Sequence, residues 1–468
     1  MSPGLTATPP VLQRRRSGVL LHPTSLAAPQ GALGSAARAF IDWLAAAGFS
    51  VWQVLPLGPV GADRSPYWVR SDQAGNPQLI DRHEALDPQA ARSQFADYCA
   101  AQAAWLEDYV LFLALSRAHD GAPWWTWPAE LRNREPVAVS QARDRLGAEL
   151  HALRVEQWQF AQQWTALRAY ARERGVQLFG DLPIYVAPDS VATWVQRGQF
   201  QLQPNGEPAA LAGVPPDYFS ADGQLWGNPL YNWQQAETDD FAFWRQRFAA
   251  QMQRFDLVRI DHFRGLAAYW SVPAGERTAR AGQWVEAPGA PLLARLRAAH
   301  GGLPVVAEDL GLITPDVDAL RREFGLPGMR VMQFGFDGSP DNPHLAHNYT
   351  RFTVVYTGTH DNDTTLGWYR SLDGATARRV DDYLGSNGAH MPTALIRAAL
   401  ASVAVLAVAP LQDLLGLGSE ARFNTPGTVN GSAEGNWSWQ FAPDALTPRL
   451  AAALRAMNEQ FGRVVSYS

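Results

Sequence analysis

The chain has 468 residues, with 45 acidic and 39 basic side chains and a formal net charge of −6. That length exceeds one small core and suits a large barrel or two to three domains. The charge gives no electrostatic reason to hold a nucleic-acid backbone, and a single cysteine, Cys99, excludes an intrachain disulfide framework or a cysteine-clustered metal site.

Residues 1–16 read as a flexible tail, with Arg14, Arg15 and Arg16 as solvated charges rather than a binding arm. No basic region followed by an apolar run marks a secretory signal. The longest apolar run, "AALASVAVLAVAPL" at 398–411, ends at Pro410, short of the ~20 residues a membrane span needs. A soluble cytoplasmic protein with no membrane partner is the expectation.

Eight short apolar segments with polar or glycine-rich ends then follow in chain order. They are "SGVLLHP" (17–23), "SVWQVLPLGP" (50–59), "VQLFGDLPIYV" (176–186), "FDLVRIDHF" (255–263), "LPVVAEDLG" (303–311), "GMRVMQFGF" (328–336), "FTVVYTGTHD" (352–361) and "VAVLAVAPLQD" (403–413). Helical patterns fall between several of them, near 35–47, at 293–301 and at 316–325. Strand and helix alternating about eight times predicts an α/β fold, a (β/α)8 TIM barrel over 17–468. A mainly helical insertion at 60–175 and an aromatic-rich one at 187–250 account for the extra length. The helical part, with "APWWTWP" at 122–128, reads as a subdomain core. Residues 213–233 mix Gly, Pro, Asp and Asn with Tyr218, Phe219, Trp226, Tyr231 and Trp233. That composition predicts an irregular, ligand-facing loop. The 18 tryptophans suit stacking on the flat C–H faces of sugar rings as well as core packing.

Side chains alternate faces along a strand. In 257–261, Leu257, Arg259 and Asp261 share the inward face, and Asp261 falls at the C-terminal end, where barrel active sites sit. Arg259 beside Asp261 keeps a carboxylate nucleophile ionised and oriented. A purely structural salt bridge is the other reading of that pair. In the next segment Glu308 projects inward among apolar residues, which raises its pKa and suits a general acid/base. Asp309 faces the other way, as a support. Asp361 adds a third carboxylate at the seventh strand's end, and the adjoining His360 can donate a hydrogen bond to a ligand oxygen. A metal site from His360, Asp361 and Asp363 is disfavoured because no second histidine lies at ligand spacing. Asp181, ending the third strand, holds either Arg259 or a sugar hydroxyl. Tyr67 in "SPYW" is either a wall under the reacting sugar or a packed loop residue. Carboxylates gathered at one rim suit glycosidic bond cleavage, which needs a nucleophile and a proton donor. Asp261 and Glu308 are expected in those roles, in a retaining double displacement.

The blocks "LLHPTSL", "WQVLPLGP", "SPYW", "FGDLPIYV", "GVPPDYFS…GQLWGNPLY", "VRIDHFRG", "AEDLG", "MRVMQF", "YTGTHDN" and "RFNTPGT…NWSWQF" resemble, in order, those of the 4-α-glucanotransferases called amylomaltases or disproportionating enzymes. The likeness covers nearly the whole chain after residue 17. It implies Asp261 as nucleophile, Glu308 as acid/base and Asp361 as the third essential carboxylate, binding adjacent sugar hydroxyls. It also implies substrate contacts for Tyr67, Asp181, Arg259 and His360, and a flexible aromatic loop over the acceptor cleft. Phe219, Trp226 and Trp233 are the residues expected to act in that loop. Where amylases carry a histidine after the third strand, this chain has Tyr185 and Val186, which favours the transferase branch. The separate C-terminal β-domain of amylases is not expected.

The implied substrates are maltooligosaccharides and α-1,4-glucans derived from starch or glycogen, with glucose or maltodextrin as acceptor. No cofactor is expected, and no acidic loop has calcium-ligand spacing. The rival readings are an amylolytic hydrolase, a phosphate-dependent transferase and a non-catalytic glucan-binding barrel. Rising reducing ends, phosphate dependence, and binding without products would mark them respectively.

Overall fold

Eight parallel strands close into a barrel in which each strand pairs with its neighbours in chain order, and the last pairs with the first. They are β1 (Arg16–Leu20), β2 (Val51–Gln53), β3 (Gln177–Leu182), β4 (Leu257–Ile260), β5 (Val305–Ala307), β6 (Gly328–Val331), β7 (Thr353–Tyr356) and β8 (Leu406–Pro410). Seven lie inside the segments read from the sequence, and β1 begins one residue before its segment. The computed structural model describes residues 8–216, 220–428 and 435–465.

Both faces of these strands are buried, which is why they read as nearly unbroken apolar runs. Leu257, Phe179, Val306, Val354 and Val408 fill the barrel interior. Val258, Ile260 and Val305 face outward into the layer of helices. The helices carry ordinary end signals. Helix Pro315–Glu323 opens with proline and places Asp316 and Asp318 in its first turn and Arg321 and Arg322 in its last. That order complements the helix dipole and fixes where the helix begins and ends. Helix Pro448–Gln460 is capped by the Thr447 hydroxyl and packs on helix Ser35–Ala46, closing the outer ring between the last and first barrel units.

Three expectations need correction. The tail over 1–16 is not flexible from Pro10 onward: Val11 and Leu12 are buried under the barrel floor, and Arg16 already belongs to β1. Arg16 is therefore buried and Arg15 half-buried. The Arg15 guanidinium donates to the carbonyls of Leu400, Ser402 and Phe461. The helical insertion ends earlier than 175, because helix Gly147–Glu173 leads straight into β3 and seats Trp164 and Arg168 on the segment before β4. Lastly, residues 213–233 are not an irregular loop throughout. Ala210–Val214 and Gln224–Pro229 pair as antiparallel strands, and Ala268–Pro273 and Gln283–Glu286 extend them to a four-stranded sheet. The pairing shifts register between Leu211 and Gly213, and the Gly and Pro of the stretch hide its strand character. Among the described residues no helix is long and apolar enough to cross a membrane.

Candidate active site

Parallel register brings the charged residues together. Asp181 on β3 sits opposite Arg259 on β4, and Arg259 sits opposite Val306 on β5. Beyond the strand ends the ladder runs one step further. The Asp261 N–H donates to Leu182 and the Glu308 N–H donates to Ile260, at 3.0 and 3.1 Å. Asp261 and Glu308 thus leave adjacent strands at the same rim.

Arg259 is the hub. Its Nε donates to Asp181 Oδ1 at 2.9 Å, and its Nη2 reaches Asp181 Oδ2 at 2.7 Å, Asp261 Oδ1 at 2.9 Å and the Tyr67 hydroxyl at 2.8 Å. Tyr67 in turn donates to Asp181 Oδ2 at 2.6 Å. The Asp181 side chain is 0 % exposed, so its oxygens are committed to Arg259 and Tyr67 rather than to a sugar. Asp261 keeps 30 % of its side chain exposed and Asp361 keeps 45 %, so these two face the cleft.

The two central carboxyls titrate upward. Burial pushes Glu308 up to about 8, and the negative charge of Asp261 adds to it. Burial pushes Asp261 up to about 7; Arg259 opposes this, while Asp181 and Asp361 reinforce it. Arg259 therefore does less to keep Asp261 ionised than its position in sequence suggests, because it also serves Asp181. Burial thus raises both carboxyls, and each one's charge raises the other's, so one of the two retains a proton near neutrality, as an acid beside a nucleophile requires. Glu308 is fixed by backbone donors: the His262 N–H reaches Oε2 at 2.7 Å and the Leu310 N–H reaches Oε1 at 3.1 Å. His262 has φ +49°, a left-handed conformation that aims its N–H at Glu308. Asp309 faces away as expected, bonded to the Met329 N–H and Arg330.

His360 lies buried beside Tyr67, their rings stacked at 5.3 Å and 16°, with Trp437 tilted against both. Burial holds the His360 pKa down, with Asp361 opposing, so the neutral ring offers one N–H donor. Asp361 Oδ1 accepts from Asn424 Nδ2 at 2.6 Å. Tyr67, Arg259, Asp261, Glu308, His360 and Asp361 thus belong to one rim.

The aromatic insertion divides. Trp226 is half-buried and meets the ring of His262, the residue after Asp261, edge-on at 4.7 Å. Trp233 is not at the site. It starts helix Trp233–Thr238 and is buried against Tyr231 and stacked on Trp244. Its expected place in the cleft is corrected: a Trp at the buried face of a helix start packs the core. Phe219 lies outside the described residues. Sequence reasoning missed His262, Asn424 and Trp437. His262 acts through its backbone, which leaves no signature in residue type. Asn424 and Trp437 lie in the "RFNTPGT…NWSWQF" block without a charge to mark them.

The sequence profile of the 4-alpha-glucanotransferase family matches residues 21–93 and 82–446. The chain belongs to the 4-alpha-glucanotransferase family. It is 45 % identical to a Synechocystis 4-alpha-glucanotransferase, over 98 % of this chain and 100 % of that one. It is likewise 45 % identical to the Thermus thermophilus 4-alpha-glucanotransferase, over 96 % and 99 %. The solved amylomaltase from Streptococcus agalactiae in complex with acarbose superposes with a TM-score of 0.91 at 32 % identity, covering 97 % of this chain and all of the other. Membership of that family makes the chain a transferase acting on α-1,4-glucans by transglycosylation.

Proposed function

We propose that this enzyme works by a retaining double displacement with Asp261 as nucleophile and Glu308 as acid/base. The observation that carries this is the placing of both carboxyls at adjacent strand ends, Asp261 on Arg259 and Glu308 on two backbone N–H groups. In the first half, an Asp261 oxygen attacks the anomeric carbon of the donor. The C1–O4 bond breaks, and Glu308 gives its proton to the departing O4. In the second half, the 4-hydroxyl of glucose or a maltodextrin gives its proton to Glu308. The resulting oxygen attacks C1 and the ester to Asp261 breaks. Arg259 stabilises the Asp261 carboxylate as leaving group, and Tyr67 and His360 form a flat wall for the reacting sugar. Asp361 binds neighbouring hydroxyls and favours the distorted ring of the transition state. A cleft that seats an acceptor sugar next to the ester gives it a high effective concentration against water. Trp226, beside His262, supports such a seat. Starch- or glycogen-derived maltooligosaccharides are the proposed donors and the cytoplasm the proposed location, tested by where the activity fractionates.

The nucleophile is tested by trapping. Glu308→Gln is incubated with α-maltosyl fluoride, whose fluoride departs with little acid help. The expected result is a maltosyl mass added to the peptide carrying Asp261. A label on Asp361, or fluoride release without any labelled peptide, would remove the assignment.

A further inference from the structure

Of the three carboxylates proposed to meet the sugar, Asp261 is oriented by Arg259 and Glu308 by two backbone N–H groups, and Asp361 has neither among the described residues. Arg259 bonds Asp181 and Asp261, and no arginine or lysine reaches the Asp361 carboxylate among the described residues. Its side chain is also the most exposed of those in the ion pairs at the rim, at 45 %, and it follows no strand directly, since β7 ends at Tyr356. An exposed carboxylate on a loop samples several rotamers unless something holds it.

His360 Nε2 lies 3.4 Å from Asp361 Oδ1, and the hydrogen bond that holds that oxygen comes from the segment after β8. Asn424, itself buried, donates from Nδ2 to Asp361 Oδ1 at 2.6 Å. Arg422 Nη2 donates to the Asp361 backbone carbonyl at 2.7 Å, and Arg422 Nε donates to the Asn424 carbonyl at 2.8 Å. These three bonds close a ring: the arginine fixes both main chains, and the asparagine fixes the carboxylate between them. Phe423, between the two, is anchored in the barrel's upper core and accepts the Trp437 N–H at 2.8 Å. Asp361 Oδ2 makes no hydrogen bond among the described residues, so one oxygen is held and the other is left for the ligand.

We propose that Asn424 is a positioning residue of the transfer reaction, acting through Asp361 by holding its Oδ1 so that Oδ2 meets the sugar. This rests on the proposed role of Asp361. An amide suits the task because it donates without adding charge. An arginine or lysine there would bind Asp361 more strongly and compete with neutral sugar hydroxyls for it.

The test is steady-state disproportionation of maltotriose by Asn424→Ala, Asn424→Asp and Asp361→Ala, each checked for an unchanged thermal midpoint. Asn424→Ala is expected to lose kcat by about 10- to 100-fold with KM little changed, as for a misplaced reacting group. Asn424→Asp carries the sharper readout. Its carboxyl can donate to Asp361 only when protonated and repels it when ionised. The activity of Asn424→Asp relative to Asn424→Ala should therefore rise as pH falls. A role in packing alone would leave that ratio flat, and a flat ratio overturns the proposal. So does a wild-type kcat in Asn424→Ala while Asp361→Ala is inactive. Near-full activity of Asp361→Ala overturns the reading of Asp361 itself, and the proposal with it.

Discussion

At the residue scale, the chemistry turns on two carboxyls pushed upward by burial. The active form needs Asp261 ionised and Glu308 protonated. The rate therefore rises with pH as Asp261 loses its proton and falls as Glu308 loses its own. Because burial raises both groups, the profile of kcat/KM is a bell displaced to higher pH than ordinary carboxyls would give. Glu308→Gln should lower kcat on maltotriose by about 1,000-fold. With α-maltosyl fluoride as donor, the falling limb should vanish in this variant, because the group that loses its proton there is gone. A falling limb that persists would assign that step to another group. The inward faces of Arg259, Asp261 and Glu308 were legible from strand alternation alone. The division of Arg259 between Asp181 and Asp261 was not, because it depends on cross-strand register, which one segment does not reveal.

At the scale of elements, the two tryptophans of the aromatic insertion have different work. Trp226 lies on the hairpin strand beside His262, while Trp233 packs under Tyr231 and Trp244. Trp226→Ala should leave the fold intact and lower the ratio of transfer to hydrolysis. Trp233→Ala should cost about 3–5 kcal/mol of stability by opening a core cavity, and leave that ratio unchanged in the folded fraction. Denaturant titration and product analysis separate the two. Loss of transfer selectivity in Trp233→Ala without loss of stability would contradict this division. Composition made 213–233 look like a single ligand-facing loop. The long-range pairing of Ala210–Val214 with Ala268–Pro273 is what turns part of it into a sheet, and local sequence does not carry that pairing.

At the scale of the whole molecule, the barrel is closed at the bottom by residues 10–16 and the segment around Arg463, and opened for chemistry at the top. Arg463, fully buried, donates to the carbonyls of Arg16, Leu400, Ala404, Ala399 and Ser402. It ties the chain after the last helix to the start of β1 and to the approach to β8. Burial, with Arg15 nearby, lowers its pKa to about 9, and the carbonyls offset the cost of keeping the charge. Arg463→Ala should destabilise the fold by about 3 kcal/mol or more, since several buried carbonyls lose their donor. It should leave kcat of the folded enzyme near wild type, because it acts at the end opposite the carboxylates. The barrel as such was readable from eight apolar segments, each ending in polar residues. The ordering of residues 10–16 was not, because proline and arginine there resemble a solvated tail until the barrel floor supplies their partners.

The most direct test of the whole account is incubation of the purified protein with maltotriose alone, with products separated by length and total reducing ends counted. The account predicts glucose together with maltopentaose and longer chains, at a constant number of reducing ends. Reducing ends that climb with time, with glucose and maltose as the main products, would contradict it, because water rather than a second sugar would then be taking the glycosyl group from Asp261.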